Sequence, residues 1–410
     1  MAHVFCLVPS GGNVGLTSVA LGLVHALDKH GCRVAFFKPV SQGVEGDVGP
    51  DRSTHFVALA TSLRPAAPID MRDAERLLSA KRGDELLERV VTAFNASTAG
   101  ADVVIVEGLV NTPESPLEDE LNLRLVNALG AEVIVVAALR DERSAEFEAR
   151  LRITADHYTS SGRGRVIGCI VNRMAADGVI DPAALRERVG DSLRVLLQSG
   201  LHVIGAVPEN PELGALRTSD IAEQLDATVL HAGAMDQRRV RRYELVARTV
   251  PHLVDKLLPG TLFVTPSDRC DVVLAVAMAA VNKVAVAGLL ITGEGELPQS
   301  ILDLCAPALA SGLPLLGVSG TSWQTAQALM NMNPELPADD VERARMTMTF
   351  VADHLDTQWL IGRAAVPVEV RMSPAAFCLR LVEVASRVKA RIVLPEGNEP
   401  RTLRAAILCT

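Results

Sequence analysis

The segment from residue 3 to residue 42 constrains the fold of this chain most, because it combines an apolar strand, a glycine-rich turn, a helix and a second strand. An apolar run from Val4 to Val8 leads into the turn Pro9-Ser10-Gly11-Gly12-Asn13-Val14-Gly15, and a helical pattern then extends from about Leu16 to His30. This order of elements predicts the opening unit of a parallel α/β sheet.

The turn has the features of an anion-binding loop. Its small residues allow backbone N–H groups to converge, and the N-terminus of the following helix carries about half a positive charge. The full phosphate-loop signature ends in glycine, lysine and then serine or threonine, but here Leu16 stands in place of the lysine. The candidate ligand contacts are Gly11, Gly12, Asn13, Val14, Gly15, Thr17 and Ser18. A glycine turn between a strand and a helix also forms without any ligand, so the loop alone leaves both interpretations open.

Apolar β-type runs alternate with helical patterns through the first half of the chain. The runs lie at 103–106, 133–137, 166–171 and 203–207, and helical patterns over 74–94, 118–129 and 145–158 separate them. Continuous apolar strands between helices predict a doubly wound, mostly parallel sheet with helices on both faces. We therefore predict an α/β fold of the P-loop type over residues 1–228.

Polar residues follow several of these strands. Lys38, Glu107 and Asn172 each stand at the carboxyl end of a predicted strand, and ligands of parallel sheets bind at that edge. Each also has a structural interpretation: Lys38 caps a strand, Glu107 accepts backbone N–H bonds, and Asn172 forms a turn. Their coincidence at strand ends favours a ligand cleft.

Composition excludes several classes of function. A net charge of −9 argues against a general nucleic-acid binder. The basic run 238–242 is interpreted as part of a helix over 237–249 with a solvated or interfacial face. The seven cysteines form no CxxC pair, which gives a zinc site little support. We expect a cytoplasmic protein, because the N-terminus lacks a basic segment leading into an apolar run with a cleavage site. We expect no membrane span, because Asn282-Lys283 divides the longest apolar stretch, 272–291, into a helix and a strand.

The rest of the chain predicts two further parts. A smaller layered α/β module extends over residues 229–355, and a linker rich in small residues follows over 356–372. Ser373-Pro374 then begins a helix with a good N-cap and a proline at its first position. The final segment, residues 373–410, is too short to form an independent core, and it is interpreted as the opening of a third domain.

The order of several distinctive segments resembles that of the long bacterial phosphate acetyltransferases, over essentially the whole chain. The segments are VPSGGNVGLTSV, FFKPVSQ, VVIVEGLV, GCIVNRM and GAVPENPEL in the first part, VTPSDRCDVV and GLLITGEGE in the middle, and RIVLPEGNEPRTLRAA at the end. The resemblance implies a dethiobiotin-synthetase-like domain over 1–228, a DRTGG-like domain over 229–355, and the first fragment of the acetyltransferase catalytic domain over 373–410.

In that family the catalytic domain transfers an acetyl group between acetyl-CoA and phosphate. The resemblance implies that the residues for this chemistry lie beyond Thr410, so we expect no catalytic residue in this chain and no acetyl transfer by it alone. The implied role of these 410 residues is regulation and assembly of a homo-oligomer.

Dethiobiotin synthetase, an ATP- and magnesium-dependent ligase, allows a finer comparison of the first domain. The resemblance implies that Lys38 matches a lysine that contacts phosphate there, that Glu107 and Asp51 match its magnesium carboxylates, and that Asn172 matches its adenine-contacting asparagine. Leu16 replaces the loop lysine. Because phosphoryl transfer depends on neutralising the phosphate charge, we expect no ATP hydrolysis but binding of a regulatory nucleotide, ATP or NADH, with Mg²⁺.

Two other hypotheses remain open from the sequence. The chain could be an active ATP-dependent ligase of the dethiobiotin synthetase type, which the absent lysine disfavours. Alternatively, it could be a scaffold whose cleft binds nothing and whose middle domain joins subunits.

Overall fold

The computed structural model of the chain describes residues 2–42, 51–111, 117–139, 144–160, 165–175, 178, 181–193, 197–198, 200–332, 337–366, 372–387 and 397–409. The chain forms two compact units. The first comprises Met1–Glu209 together with Val341–Thr410, and the second comprises Asn210–Asp340.

The described strands are β1 (His3–Pro9), β2 (Val34–Phe37), β3 (Val103–Glu107), β4 (Glu132–Ala138), β5 (Arg165–Met174), β6 (His202–Pro208), β7 (Leu216–Arg217), β8 (Thr228–His231), β9 (Arg239–Val240), β10 (Arg242–Leu245), β11 (Thr261–Pro266), β12 (Gly288–Thr292) and β13 (Leu315–Val318).

The described α-helices are α1 (Leu16–Lys29), α2 (Arg52–Ala60), α3 (Met71–Ser79), α4 (Gly83–Ser97), α5 (Leu117–Leu129), α6 (Ser144–Ser160), α7 (Pro182–Ser192), α8 (Pro211–Gly214), α9 (Thr218–Gln224), α10 (Cys270–Val281), α11 (Gln299–Ala310), α12 (Ser322–Met330), α13 (Val341–Asp353), α14 (Thr357–Ala364), α15 (Pro374–Arg387) and α16 (Pro400–Cys409).

The first unit is built on a six-stranded parallel sheet in the order β2-β3-β1-β4-β5-β6. Strands β1 and β3 are in register from His3 beside Val103 to Leu7 beside Glu107. The connection after β1 goes to one side of the sheet and the connection after β4 goes to the other. The strand order therefore reverses beside β1, where a doubly wound sheet opens its ligand crevice, and the predicted fold class is confirmed.

Burial explains why these segments form strands and helices. All residues of β3 are buried, and so is the inner face of α1, including Val19, Leu23 and Leu27. Strands covered on both faces need apolar side chains in both directions, which gives the continuous apolar runs seen in the sequence. Helix α2 begins where Asp51 accepts a hydrogen bond from the backbone N–H of Thr54.

After the second unit, the chain returns to the first through α13 and α14. Helix α13 packs against α1 and α2. The following corner forms an antiparallel bridge between Leu355 and Gly205 of β6. Helix α14 is then fixed by Arg363, whose guanidinium donates hydrogen bonds to the buried Glu132 at the start of β4. Residues 341–364 are therefore an integral part of the first unit.

The second unit contains a smaller sheet in the order β10-β11-β12-β13-β8, in which β8 alone is antiparallel. Its core is formed by α10, α11 and the central strands. The apolar stretch that could be mistaken for a membrane span forms α10 and then β12, as predicted. Within the described residues, no helix is long and apolar enough to cross a membrane.

The helix predicted over 237–249 does not form, and β9 and β10 occupy this region instead. Successive arginines have different partners: Arg239 forms an ion pair with the buried Asp340 at 2.7 Å, and Arg241 pairs with Glu212 at 2.7 Å. Between them, Val240 is buried in the core. Alternation of this kind has the period of a strand, which a run of four arginines conceals in the sequence.

The compact units divide the chain at 209/210 and 340/341, whereas the predicted domain boundaries lie at 228/229 and 355/356. The span predicted as a linker, 356–372, contains helix α14. The first boundary differs because β7 pairs with β9, and Leu216 and Ile221 are buried in the core of the second unit. The second differs because α13 and α14 pack against the first unit although they follow the second in sequence. The apolar run 391–394, whose pattern predicts a further strand, lies outside the described residues.

The cluster around Glu132 predicts a pH dependence of stability. Burial opposes ionisation of this carboxyl, but hydrogen bonds from His3, at 2.9 Å, and from Arg363 outweigh it and lower the pKa of Glu132 from 4.5 to about 2. A lowered pKa stabilises the fold above pH 4.5, and this contribution is lost as the pH falls toward 2. We expect Glu132→Gln to reduce the free energy of unfolding at neutral pH and to make it less pH-dependent in that interval, as measured by urea denaturation.

The matched control is Glu120→Gln, which removes an exposed carboxylate that pairs with Arg124 along α5. Exposed pairs contribute about 0–1 kcal/mol, so this variant should follow the wild-type curve. Equal pH profiles for Glu132→Gln and the wild type would contradict the assignment.

Candidate active site

The loop after β1 is held in one conformation by Gly15. This residue is the N-cap of α1 and has a φ of 75°, in the left-handed region. A Cβ at this position would lie 2.5 Å from Nδ2 of Asn172, so both the backbone and the close neighbour require glycine. Among the described residues, no side chain caps the N-terminus of α1. The first turn of this helix therefore retains its capacity to bind an anion.

The residue in place of the loop lysine belongs to the core. Leu16 is only 3% exposed, whereas Gly12 and Asn13 of the loop are exposed. The loop itself therefore contributes no cationic side chain toward a ligand. Thr17 and Ser18 are half-buried at the start of α1.

Lys38, Asp51 and Glu107 meet in a buried network at the carboxyl edge of the sheet. The Nζ of Lys38 lies 3.0 Å from Oδ2 of Asp51 and 3.2 Å from Oε1 of Glu107. Ser53, at the start of α2, accepts a hydrogen bond from Lys38 at 3.0 Å and donates one to Glu107 Oε1 at 2.7 Å. Thr17 donates to the same carboxylate oxygen at 3.1 Å. The structure thus brings together Thr17, Lys38, Asp51 and Glu107, which the sequence had singled out separately.

Among the described residues, the ion pairs of this network join one cation to two carboxylates. Burial disfavours the charge of Lys38, but the carboxylates of Glu107 and Asp51 outweigh it and raise the pKa of the ammonium group above its ordinary value. One buried ammonium therefore faces two carboxylates. Glu107 is 2% exposed, and its Oε2 atom has no hydrogen-bond partner among the described residues. A buried carboxylate oxygen without a partner is costly, and it is the natural point of attachment for an added cation.

The two predicted metal carboxylates differ in how far they fit Mg²⁺, which prefers oxygen ligands and retains water. Asp51 uses one oxygen to cap α2 and the other to bind Lys38. In Glu107, by contrast, Oε2 has no hydrogen-bond partner among the described residues. In the described part of the chain, no group of three His, Cys, Asp or Glu residues is arranged to hold a metal ion. The residues therefore fit a cation that a ligand brings with it better than a resident one.

Asn172 fixes the loop from the end of β5. Its Nδ2 donates a hydrogen bond to the carbonyl oxygen of Val14 at 2.9 Å, and its Oδ1 accepts one from the backbone N–H of Arg173 at 3.0 Å. The side chain is buried. Asn172 thus lies beside the loop, and its predicted contact with adenine stays a prediction.

Sequence reasoning missed two residues of the site. Ser53 links Lys38, Thr17 and Glu107, and Arg150 of α6 donates hydrogen bonds to Oγ of Ser10 at 2.6 Å and to the carbonyl oxygen of Ala138 at 3.1 Å. The position of Ser53 two residues after the capping Asp51 was a usable signal. No sequence signal pointed to Arg150, because it contacts Ser10 from a helix 140 residues away in sequence.

Comparisons with known proteins agree with this architecture. The family model described as an AAA domain matches residues 3–217, and the DRTGG domain model matches residues 220–332. The phosphate acetyltransferase of Pseudomonas putida is 42% identical over 405 residues, which cover 99% of this chain and 58% of the relative. That of Escherichia coli is 35% identical over 434 residues, which cover 100% of this chain and 59% of the relative. The resemblance found in the sequence is confirmed, and the chain spans less than two thirds of these relatives.

Solved structures are more distant. The MinD cell division protein of Aquifex aeolicus matches 52% of this chain and 84% of its own, with 18% identity and a TM-score of 0.32. A likeness at this level carries no argument about function.

The buried network predicts a large effect of removing its cation. Lys38→Met leaves two buried carboxylates without a counter-ion, and breaking a buried ion pair from one side costs about 3–5 kcal/mol. We expect the free energy of unfolding of the first unit to fall by about 3 kcal/mol, as measured by chemical denaturation with hydrogen exchange to locate the affected residues.

The double variant Lys38→Met/Glu107→Gln should recover part of this loss, because it removes one of the two uncompensated charges. Lys29→Met, at the exposed end of α1, controls for loss of a lysine. If Lys38→Met is no less stable than Lys29→Met, the network does not hold the site together.

Proposed function

We propose that this chain, which belongs to the AAA-domain family, forms the regulatory N-terminal part of a phosphate acetyltransferase and binds a nucleotide at the β1 loop. The nucleotide acts as an effector and is not consumed. Its phosphates bind at the N-terminus of α1, and ATP with Mg²⁺ is the primary candidate.

The observation that carries this proposal is that Oε2 of Glu107 has no hydrogen-bond partner among the described residues. This oxygen lies on a carboxylate that also accepts a hydrogen bond from Thr17, the hydroxyl residue at the first turn of α1. Because the network has one ammonium for two carboxylates, a bare polyphosphate would meet net negative charge. A nucleotide that brings a divalent cation would supply the missing charge and satisfy the oxygen, so binding should require Mg²⁺.

We expect the nucleotide to be bound without hydrolysis because Leu16 replaces the loop lysine. A phosphate loop uses its lysine to neutralise charge that develops during phosphoryl transfer. Here that position is buried in the core, and Lys38 is bound to Asp51 and Glu107. An active ligase of the dethiobiotin synthetase type is therefore disfavoured.

The acetyl transfer itself is assigned to the part of such relatives that this chain does not span. The proposed reaction converts acetyl-CoA and phosphate to acetyl phosphate and CoA in the complete enzyme, with this chain as its control and assembly portion. A cytoplasmic location and homo-oligomeric assembly remain predictions of the same proposal.

A second candidate function is a scaffold with an unoccupied cleft. The pairing of Lys38 with Asp51 and Glu107 favours it, because this network is stabilised without any ligand. NADH, likewise with Mg²⁺, is the alternative effector.

Calorimetric titration distinguishes these possibilities. We expect ATP with excess Mg²⁺ to bind saturably, and we expect binding to weaken at least ten-fold in EDTA, because the cation then no longer offsets the carboxylates. Glu107→Gln should remove most of this dependence on Mg²⁺. The matched control is Glu146→Gln, a carboxyl in the first turn of α6, which should bind as the wild type does.

Saturable binding of NADH alone would transfer the assignment to that dinucleotide. Absence of heat with ATP and with NADH, together with a folded protein by circular dichroism, would favour the scaffold and contradict the proposal.

The assignment of catalysis elsewhere has its own test. The purified 410-residue chain should form no acetyl phosphate from acetyl-CoA and phosphate, measured by release of the CoA thiol. A phosphate acetyltransferase with its complete catalytic domain serves as the positive control. Turnover by the chain alone would contradict the assignment.

A further inference from the structure

Helix α13 covers both helices that begin at the cleft. Thr17 lies in the first turn of α1, and Ser53 lies in the first turn of α2. Helix α13 packs against α1 and also against α2, with Thr347, Met348 and Val351 buried. A displacement of either α1 or α2 at its cleft end would therefore change the packing of α13.

The contact between α13 and α1 leaves no free space. A Cβ placed on Gly22 of α1 would lie 2.3 Å from Cγ1 of Val351 and 3.2 Å from the backbone nitrogen of Ala352. The two helices thus approach each other closely at Gly22. Packed surfaces of this kind shift as units, because interiors are close-packed.

The far end of α13 is fastened to the sheet. The backbone N–H of Asp356 donates to the carbonyl oxygen of Ile204 at 2.7 Å. The carboxylate of Asp356 lies 3.2 Å from Nε2 of His202, whose ring stacks on Trp359 with 4.4 Å between centroids. Farther along α14, Arg363 binds Glu132. We call residues 341–364 the strap. The strap thus connects the helices of the cleft with the amino ends of β4 and β6, at the edge of the sheet opposite the cleft.

We propose that the strap transmits occupancy of the cleft to the segment that follows it, beginning at α15. This inference rests on the proposed function, because it takes the nucleotide site as its input. A ligand that bridges the first turns of α1 and α2 fixes these helices relative to each other and so stabilises the surface on which α13 lies. The strap then carries this change along α14 toward residues 374–387. Within the described residues, it is the segment that contacts both cleft helices and leads into α15.

Hydrogen exchange with mass spectrometry tests whether nucleotide binding at the cleft affects the strap. Saturating ATP with Mg²⁺, at a concentration set by calorimetry, should slow exchange of the backbone amides of 341–364 as well as those of the loop. If binding is demonstrated but protection from exchange increases only in residues 10–18 and 51–54, the proposed role of the strap is wrong and the proposed function stands. Absence of binding by calorimetry would overturn both.

Gly22→Ala tests the contact itself. The added methyl group would displace α13 from α1 while leaving every cleft residue unchanged, so protection of the strap on binding should fall by half or more. The matched control is Gly362→Ala, also within a helix, where a Cβ would meet nothing within 4 Å. It should behave as the wild type does.

Arg363→Gln provides a second variant if Gly22→Ala does not fold. It loosens the strap at the end remote from the cleft. Coupling is reciprocal, and typical couplings amount to roughly 5- to 150-fold in affinity, so this variant should bind ATP with Mg²⁺ about five-fold more weakly. Arg76→Gln, which removes an exposed pair with Asp73 in α3, is its control. Unchanged affinity in Arg363→Gln, measured on folded protein, would overturn the proposal.

Discussion

One buried ammonium group organises the cleft of the first unit. Lys38 lies between Asp51 and Glu107, each within 3.2 Å of its nitrogen, and Ser53 completes its hydrogen bonds. These residues come from the ends of β2 and β3 and from the start of α2, so the ion pairs fix where the elements meet. Because the described part of this network contains two carboxylates and one cation, it has an excess of negative charge. Both the structural and the proposed regulatory role derive from this imbalance.

The loop without a lysine and the Lys38 network differ in where they place positive charge. A phosphate loop with its own lysine would place a cation directly over the bound phosphates, which serves phosphoryl transfer. In this chain the position is occupied by the buried Leu16, and the available cation is bound to carboxylates. In the proposed role, the N-terminus of α1 and the turn at Gly15 would hold the ligand, and the lysine that would serve its hydrolysis is absent. The proposed coupling through the strap would give such a cleft a means of control.

The sequence predicted the features that are local and periodic. The loop, α1 and the alternation of apolar strands with helices could be identified because burial on both faces of a sheet leaves an uninterrupted apolar pattern. Lys38, Glu107 and Asn172 were found because they end strands. Partners that depend on tertiary structure could not be found in this way. Arg150 reaches Ser10 across the fold. Strands β9 and β10 form where a helix was predicted, and Arg239 and Arg241 there have separate acidic partners. The return of 341–364 to the first unit has no local signal.

The central claim is that the cleft binds a nucleotide without consuming it. The most direct test is to mix the chain with ATP labelled on its γ-phosphate and Mg²⁺, to separate bound from free nucleotide rapidly, and to identify what was retained. The account predicts that label is retained by the wild-type chain, is recovered as intact ATP after hours of incubation, and is lost when EDTA replaces Mg²⁺. Release of labelled phosphate, or no retention at concentrations that saturate other nucleotide-binding proteins, would contradict it.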